Sequence, residues 1–293
     1  MSATSSLASR MIVAVAQPHV QAGSPEEAKV TEARELVRLA AAEKARIVAF
    51  PEGYPGPLRI TSSFDAKEAM VSAAMETGCA VCWSRVERCA DGRWRLVAYV
   101  HDRDGCEVMR YERGHPATGD VHPALSGAAL APGAEPSVFR IDGVPMGVVI
   151  CSELWIPEVA RLLAVEGAEV LFAPAGGGFR EVAPNWQVIA RARAVENECY
   201  LALTQHLFGD EVGSALIAGP EDLLCARTDA GVLVGSLDLQ RVRWLRGHDD
   251  SMESPKPFRA LPGLLRARRP ELYSRLVGPQ EGLYDYSAAE RWR

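Results

Sequence analysis

The tightest constraint on this chain is a buried strand that stops at a cysteine. Gly147-Val148-Val149-Ile150-Cys151 is followed by Ser152-Glu153-Leu154-Trp155-Ile156-Pro157-Glu158. Three β-branched residues in a row favour a short strand covered on both faces. Pro157-Glu158 then opens a helix, expected over Glu158 to Val165. A cysteine at such a junction has two readings. It is a small apolar residue filling a strand end. Or it is a nucleophile exposed by the turn, with backbone N–H groups near enough to lower its pKa and hold an oxyanion.

The flanking pattern bears on the architecture. Met11 to Ala16 is a continuous apolar run, a buried strand ending at Gln17-Pro18. Ser24 as N-cap and Pro25 at the first helical position predict a helix to about Lys44, with Val30, Ala33, Val37, Ala40 and Ala41 at helical spacing. Ala45 to Phe50 is a second buried strand. It ends in Pro51-Glu52-Gly53-Tyr54-Pro55-Gly56, a turn-rich loop with a carboxylate at the strand's C-terminal edge. Phe64 to Thr77 is expected to be helical. Cys79 to Val86, Trp94 to Asp102 and Glu107 to Tyr111 read as successive strands, with turns at Asp91-Gly92 and Asp104-Gly105.

Arg113 to Pro136 is loop-like. Ser137 to Ile141 and Val144 to Ile150 form a strand pair. Glu169 to Ala173 is a strand, Pro184 to Glu198 a helix, and Cys199 to Gln205, Gly213 to Ile217 and Val232 to Asp238 are strands. Gly176-Gly177-Gly178 reads as a plain flexible loop, because it lacks the Gly-Lys-Ser/Thr ending of a phosphate loop. Strands and helices alternate at both ends of the chain, with strand pairs between. That is neither a simple doubly wound sheet nor a barrel, and two sheets with helices outside accommodate it.

Composition narrows the function. The chain has 293 residues, 48% hydrophobic and 24% charged, enough for a large core. The net charge is −6 and no basic stripe is visible, which argues against nucleic acid as a partner. Met1 to Arg10 lacks the charged-then-apolar pattern of a signal peptide. No apolar stretch is long enough to span a bilayer. The seven cysteines are therefore expected to be reduced thiols of a cytoplasmic protein. Cys79 and Cys82 form a C-x-x-C without a second ligand pair, so a zinc role is not expected. Nucleotide-loop and serine-elbow motifs are absent, and no cofactor or metal is expected.

Three separated stretches together resemble the nitrilase superfamily of carbon–nitrogen hydrolases. They are Ile47-Val48-Ala49-Phe50-Pro51-Glu52, Tyr111-Glu112-Arg113-Gly114-His115-Pro116, and Cys151 to Glu158. Met11 to Gln17 resembles the family's first strand. Trp186 with Arg191 to Asn197 resembles its helix beyond the cysteine, and Gly213-Ser214 with Ile217 and Pro220 its next strand and turn. The tail Arg268-Arg269-Pro270-Glu271-Leu272-Tyr273 is also family-like. The resemblance covers roughly residues 11 to 275. It implies an α/β fold, a four-layer α-β-β-α sandwich, paired across an interface into a homodimer or higher homo-oligomer. Residues 1–10 are then a flexible arm, 11–248 the hydrolase domain, and 249–293 an extended tail at a subunit interface.

The resemblance also implies a Glu–Lys–Cys triad, and with it a hydrolase that cleaves a small-molecule amide or carbamoyl C–N bond through a thioester. Here the position of the Lys is held by Arg113, with Tyr111 and His115 fixing the register, so the catalytic set reads Glu52, Arg113 and Cys151. A second Glu common in the family is not evident, and Asp120 is the only acid from Gly114 to Ala134. Arginine keeps the positive charge, but its planar fork is bulkier and its pKa of about 12.5–13.8 makes it a poor proton donor. Candidates to contact the substrate are Tyr54, Ser152, Glu153, Trp155 and His206, with His115 and His122 as further pocket histidines. Glu196 is expected to be a buried support for the site. Nitriles are disfavoured as substrates, because Ser152 follows the cysteine where nitrilases carry Trp. Two other functions remain open: an acyltransferase that keeps the thioester, and a non-catalytic ligand- or partner-binding relative.

Overall fold

The computed structural model describes residues 8–20, 25, 27–62, 64–117, 127–177, 181–208, 213–251 and 256–278. Strand β1, Arg10–Gln17, shows the logic of the fold. Its odd-numbered residues Met11, Val13 and Val15 and its even-numbered Ala14 and Ala16 are all buried, on opposite faces. A strand buried on both faces needs a packed layer on each side.

The elements that follow are β2 (His19–Val20), α1 (Ala28–Ala42), β3 (Ile47–Ala49), α2 (Lys67–Thr77), β4 (Ala80–Arg88), β5 (Trp94–His101) and β6 (Glu107–Glu112). Next come β7 (Phe139–Ile141), β8 (Val144–Val148), α3 (Pro157–Val165), β9 (Val170–Ala175), α4 (Ala183–Glu196), β10 (Tyr200–Gln205) and β11 (Leu207–Phe208). The chain closes with β12 (Ala215–Ala218), β13 (Leu223–Arg227), β14 (Gly231–Asp238), α5 (Leu239–Gly247) and α6 (Ser274–Val277). One six-stranded sheet has the order β14-β1-β3-β4-β5-β6 and the other β13-β12-β10-β9-β8-β7; β2 and β11 form a short parallel ladder.

Three apolar layers hold these pieces. Val13, Val15, Ile47, Met146, Val148, Phe172 and Ile217 meet between the sheets. Ala14, Ala16 and Val48 face Val37, Ala40, Met70 and Ala73 of α1 and α2. Leu171, Leu201 and Leu203 face Ala160, Leu163, Ala190 and Ala194 of α3 and α4. The result is the α-β-β-α sandwich. Gly147 on β8 lets α3 sit close, since a Cβ there would lie 2.8 Å from Leu163 Cδ1.

Parallel pairing decides where chemistry can gather. β3 runs parallel to β1 and β4, and β9 parallel to β8 and β10. β6 follows β4 and β5 through two antiparallel pairings, so it ends at the same edge as β3. The residues that leave β3 and β6, and those that leave β8, β9 and β10, therefore gather at the carboxyl ends of their sheets, where α/β proteins place ligands.

Some expectations shift. The N-cap expected at Ser24 lies outside the described residues. The Ala28 N–H donates to the Pro25 carbonyl at 3.1 Å, so Pro25 belongs to a turn and α1 begins three residues later. Three features were not foreseen: β13, an edge strand with little burial; the β2–β11 ladder; and α5, whose N-cap Asp238 accepts from the Arg241 N–H at 3.1 Å. Cys79 joins the helix-facing layer and Cys82 the layer between sheets, so the C-x-x-C sulfurs point to opposite faces. Beyond α5 the chain folds back: the Gly263 N–H donates to Leu245, and those of Leu264 and Leu265 to the buried Glu198 carboxylate.

Candidate active site

The strand-end cysteine sits in a strained turn. Cys151 has φ of +53°, a region that L residues rarely adopt, and it begins a short 3₁₀ turn, Cys151–Trp155, ahead of α3. Glu153 locks this turn from below. It has no accessible surface, and its Oε2 accepts from the Ile150 N–H at 2.9 Å while its own N–H donates to the Ile150 carbonyl. Its Oε1 accepts from the Tyr111 hydroxyl at 2.7 Å and from the His115 N–H at 3.0 Å. One buried carboxylate thus ties the cysteine turn to the loop that carries Arg113. Arg193 of α4 braces the other end, donating to the carbonyls of Leu154 and Trp155.

Arg113 follows β6 directly. Its N–H donates to Leu96, and its carbonyl accepts from Gly133 at 2.8 Å. The returning loop passes so near that a Cβ on Gly133 would lie 2.3 Å from the Glu112 carbonyl oxygen. The Arg113 side chain is 2% exposed. Its Nη1 donates to Glu52 Oε1 at 2.6 Å and its Nη2 to Ser152 Oγ at 2.6 Å. The planar fork therefore spans from the carboxylate after β3 to the residue next to the cysteine.

Glu52 is placed by two backbone contacts. Its N–H donates to the Ala175 carbonyl at 3.3 Å, and its carbonyl accepts from His206 Nε2 at 2.6 Å. Burial pushes His206 down to about 4, so near neutrality it is uncharged and its Nε2 carries the proton for that bond. The Cys151 thiol is pushed up, first by burial and then by the Glu52 charge. Arg113 and the Gly176 N–H pull it the other way. The resting site thus holds a protonated thiol with a carboxylate and a cation alongside.

The structure brings Glu52, Arg113, Cys151 and Ser152 together. It moves other expected contacts into supporting places. Tyr54 has no accessible surface; its hydroxyl donates toward Glu32 Oε2 at 2.8 Å, and its ring stacks on Phe50 and meets His206 edge-on. Neither Tyr54 nor Glu153 has accessible surface, so both lie beneath the residues gathered here. His206, 4% exposed, acts through the Glu52 backbone. Trp155 lies edge-on against Trp186 of α4, on the helix side. Glu196 is one-third exposed and pairs with Arg193 at 2.8 Å. His115 is engaged through its backbone N–H. Asp120 and His122 lie outside the described residues.

Sequence reading missed Gly176. It passed as part of a flexible glycine run, yet it leaves β9 beside Cys151, and a Cβ there would lie 3.2 Å from Glu52 Oε2. The only signal was its place directly after a buried strand. Among the described residues no cluster of His, Cys, Asp and Glu could hold a metal ion, and no helix is long and apolar enough to cross a membrane.

The two stacked sheets place this chain in a known structural class. A carbon–nitrogen hydrolase from Helicobacter pylori G27 superposes with a TM-score of 0.77 at 21% identity, covering 92% of this chain and 99% of that one. An amidase of the nitrilase superfamily from Nesterenkonia superposes with a TM-score of 0.72 at 21% identity, covering 91% and 97%. The chain belongs to the carbon–nitrogen hydrolase family, whose model matches residues 12–246. Among relatives, it is 29% identical to a protein of Pseudomonas protegens named as a hydrolase in the pqqF 5′ region, over 75% of this chain and 73% of that protein. It is 27% identical to the N-carbamoylputrescine amidase of Solanum lycopersicum, over 90% and 89%.

Proposed function

We propose that this protein hydrolyses the C–N bond of a small amide or carbamoyl compound through a thioester on Cys151. The observation that carries the reading is the Arg113 fork, bound to Glu52 at one end and to Ser152 at the other, beside the Cys151 thiol that both charges act on. In the first step Glu52 takes the thiol proton as the sulfur attacks the carbonyl carbon. The resting thiol keeps its proton, so transfer accompanies attack. The carbonyl oxygen gains the negative charge. The Ser152 backbone N–H and the Arg113 charge stabilise it.

Collapse of the tetrahedral species breaks the C–N bond, and Glu52 returns the proton to the departing nitrogen. Water then attacks the thioester, again giving its proton to Glu52, and the carboxylic acid leaves with the sulfur restored. Arginine suits this scheme because every proton passes through Glu52 and the cation acts only by charge.

Two relatives support the substrate class. One carries the name of an amidase for a carbamoyl compound, and one an omega-amidase from Mus musculus. A variant of the Nesterenkonia amidase is described with the acetamide moiety of fluoroacetamide added covalently at its active-site cysteine. The test is incubation with a panel of small amides and N-carbamoyl amines, followed by intact-mass measurement and product analysis. An acyl adduct on Cys151, absent in Cys151→Ala, together with free acid as product supports hydrolysis. A new amide as product would reassign the protein to acyl transfer. Binding with neither adduct nor turnover, in the parent and in Arg113→Lys, would overturn the reading.

A further inference from the structure

An ammonium is a compact charge that is satisfied from many directions, whereas a guanidinium is a rigid plane whose two terminal nitrogens need acceptors in set directions. At position 113 both are supplied. Nη1 meets Glu52 Oε1 and Nη2 meets Ser152 Oγ, each at 2.6 Å. These acceptors come from different sheets: Glu52 follows β3, and Ser152 lies in the turn after β8. The fork is thereby stretched across the gap between them. Were the Ser152 oxygen absent, the same plane could turn both nitrogens onto the Glu52 carboxylate, the fork-to-fork geometry that arginine prefers. The charge would then move toward the base and away from the sulfur, whose thiolate it now favours.

We propose that Ser152 is a positioning residue whose hydroxyl holds the Arg113 fork over the cysteine turn, and that an arginine serves at this place because a serine follows the cysteine. The inference rests on the reading of Cys151 as the nucleophile. It goes beyond that reading by making residues 113 and 152 a matched pair, and it gives the Ser152 side chain a part separate from its backbone N–H.

The test is a mutant cycle read by the pH dependence of Cys151 alkylation with iodoacetamide, followed on the Cys151 peptide by mass spectrometry. This readout needs no substrate, so it reports on the pair even if the hydrolase reading fails. Ser152→Ala should raise the alkylation midpoint by about one pH unit and slow alkylation near neutrality by roughly 3- to 4-fold. Ser152→Thr, which keeps a hydroxyl, should restore both. In the Arg113→Gln background Ser152→Ala should have no effect. In the Arg113→Lys background its effect should also vanish, because an ammonium does not need the second acceptor.

Melting transitions check that each variant folds, and the Thr variant carries the comparison if the Ala variant does not. An equal Ser152→Ala shift with and without Arg113 would overturn the proposal, as would an unshifted midpoint in the parent background. If the parent also shows no adduct and no turnover with amides while the cycle behaves as expected, the hydrolase reading falls and the Arg113–Ser152 pair stands.

Discussion

Replacing Glu52 by Gln should move two measurements in opposite directions. The thiol of Cys151 is held up by burial and next by the Glu52 charge, while the Arg113 cation and the Gly176 N–H lower it. Gln removes the negative charge, keeps an oxygen that Arg113 Nη1 can still meet, and leaves the cation in place. A neighbouring charge of this kind is worth about 1–3 pKa units, so the thiol should drop by that much. The thiolate fraction at a fixed pH below both midpoints then rises about 10- to 1000-fold. Each thiolate also becomes less reactive, with a Brønsted coefficient of about 0.4–0.5. The net gain in alkylation rate is about 4- to 40-fold.

Amide turnover should instead fall by about 10²–10⁴, the usual contribution of a placed general base. Iodoacetamide labelling of the Cys151 peptide at about pH 8 measures the first, with Cys151→Ala subtracting the other thiols, Cys106 above all because it is exposed. Steady-state hydrolysis of the best amide measures the second. Alkylation that slows or stays level in Glu52→Gln would show that the carboxylate does not control the thiol. Turnover that survives would remove Glu52 from the base role.

Two further outcomes follow from the same geometry. Glu153→Gln replaces a buried carboxylate that accepts from Tyr111, His115 and Ile150, and one amide face must then point hydrogens at an N–H or O–H donor. Urea denaturation should show a loss of about 3 kcal/mol at unchanged m-value, and a loss under about 1 kcal/mol would contradict the clamp. His206 sits at about 4 when folded, against about 6.5 unfolded, so its contribution is present above about pH 6.5 and lost as pH falls toward 4. The parent should lose about 3 kcal/mol across that window. His206→Gln, which keeps an N–H for the Glu52 carbonyl, should flatten the curve, and parallel curves for parent and variant would exclude His206 as the cause.

Much of this protein is legible in one dimension. Runs such as Val13 to Ala16 and Val148 to Ile150 are short, apolar and β-branched or small, and they announce strands buried on both faces. The motifs around Glu52, Arg113 and Cys151 are local strings, so they could be found before any residue was placed in space. A strand end is also a local property, which is why both the carboxylate and the cysteine could be assigned to strand termini. Edge strand β13 was hidden because an edge carries little burial and hence little periodicity.

What the sequence determined by itself was most of the buried strands and, through its motifs, the two stacked sheets with helices outside. What only the tertiary structure decided was how those residues are held. Tyr54 and Glu153 looked like pocket residues because they neighbour the candidate triad in the chain, yet Tyr54 turns its hydroxyl to Glu32 and Glu153 turns inward to Tyr111. Gly176 looked like slack, and the sheet pairing sets it at the end of β9, where a Cβ would lie 3.2 Å from Glu52 Oε2. The same holds for the cation. From the sequence, Arg113 could be read either as a loss or as a replacement, since charge is a property of the residue but direction is not. The direction comes from Glu52 and Ser152, which lie 61 and 39 residues away along the chain and reach the guanidinium because the sandwich stacks the sheet of β3 and β6 on the sheet of β8.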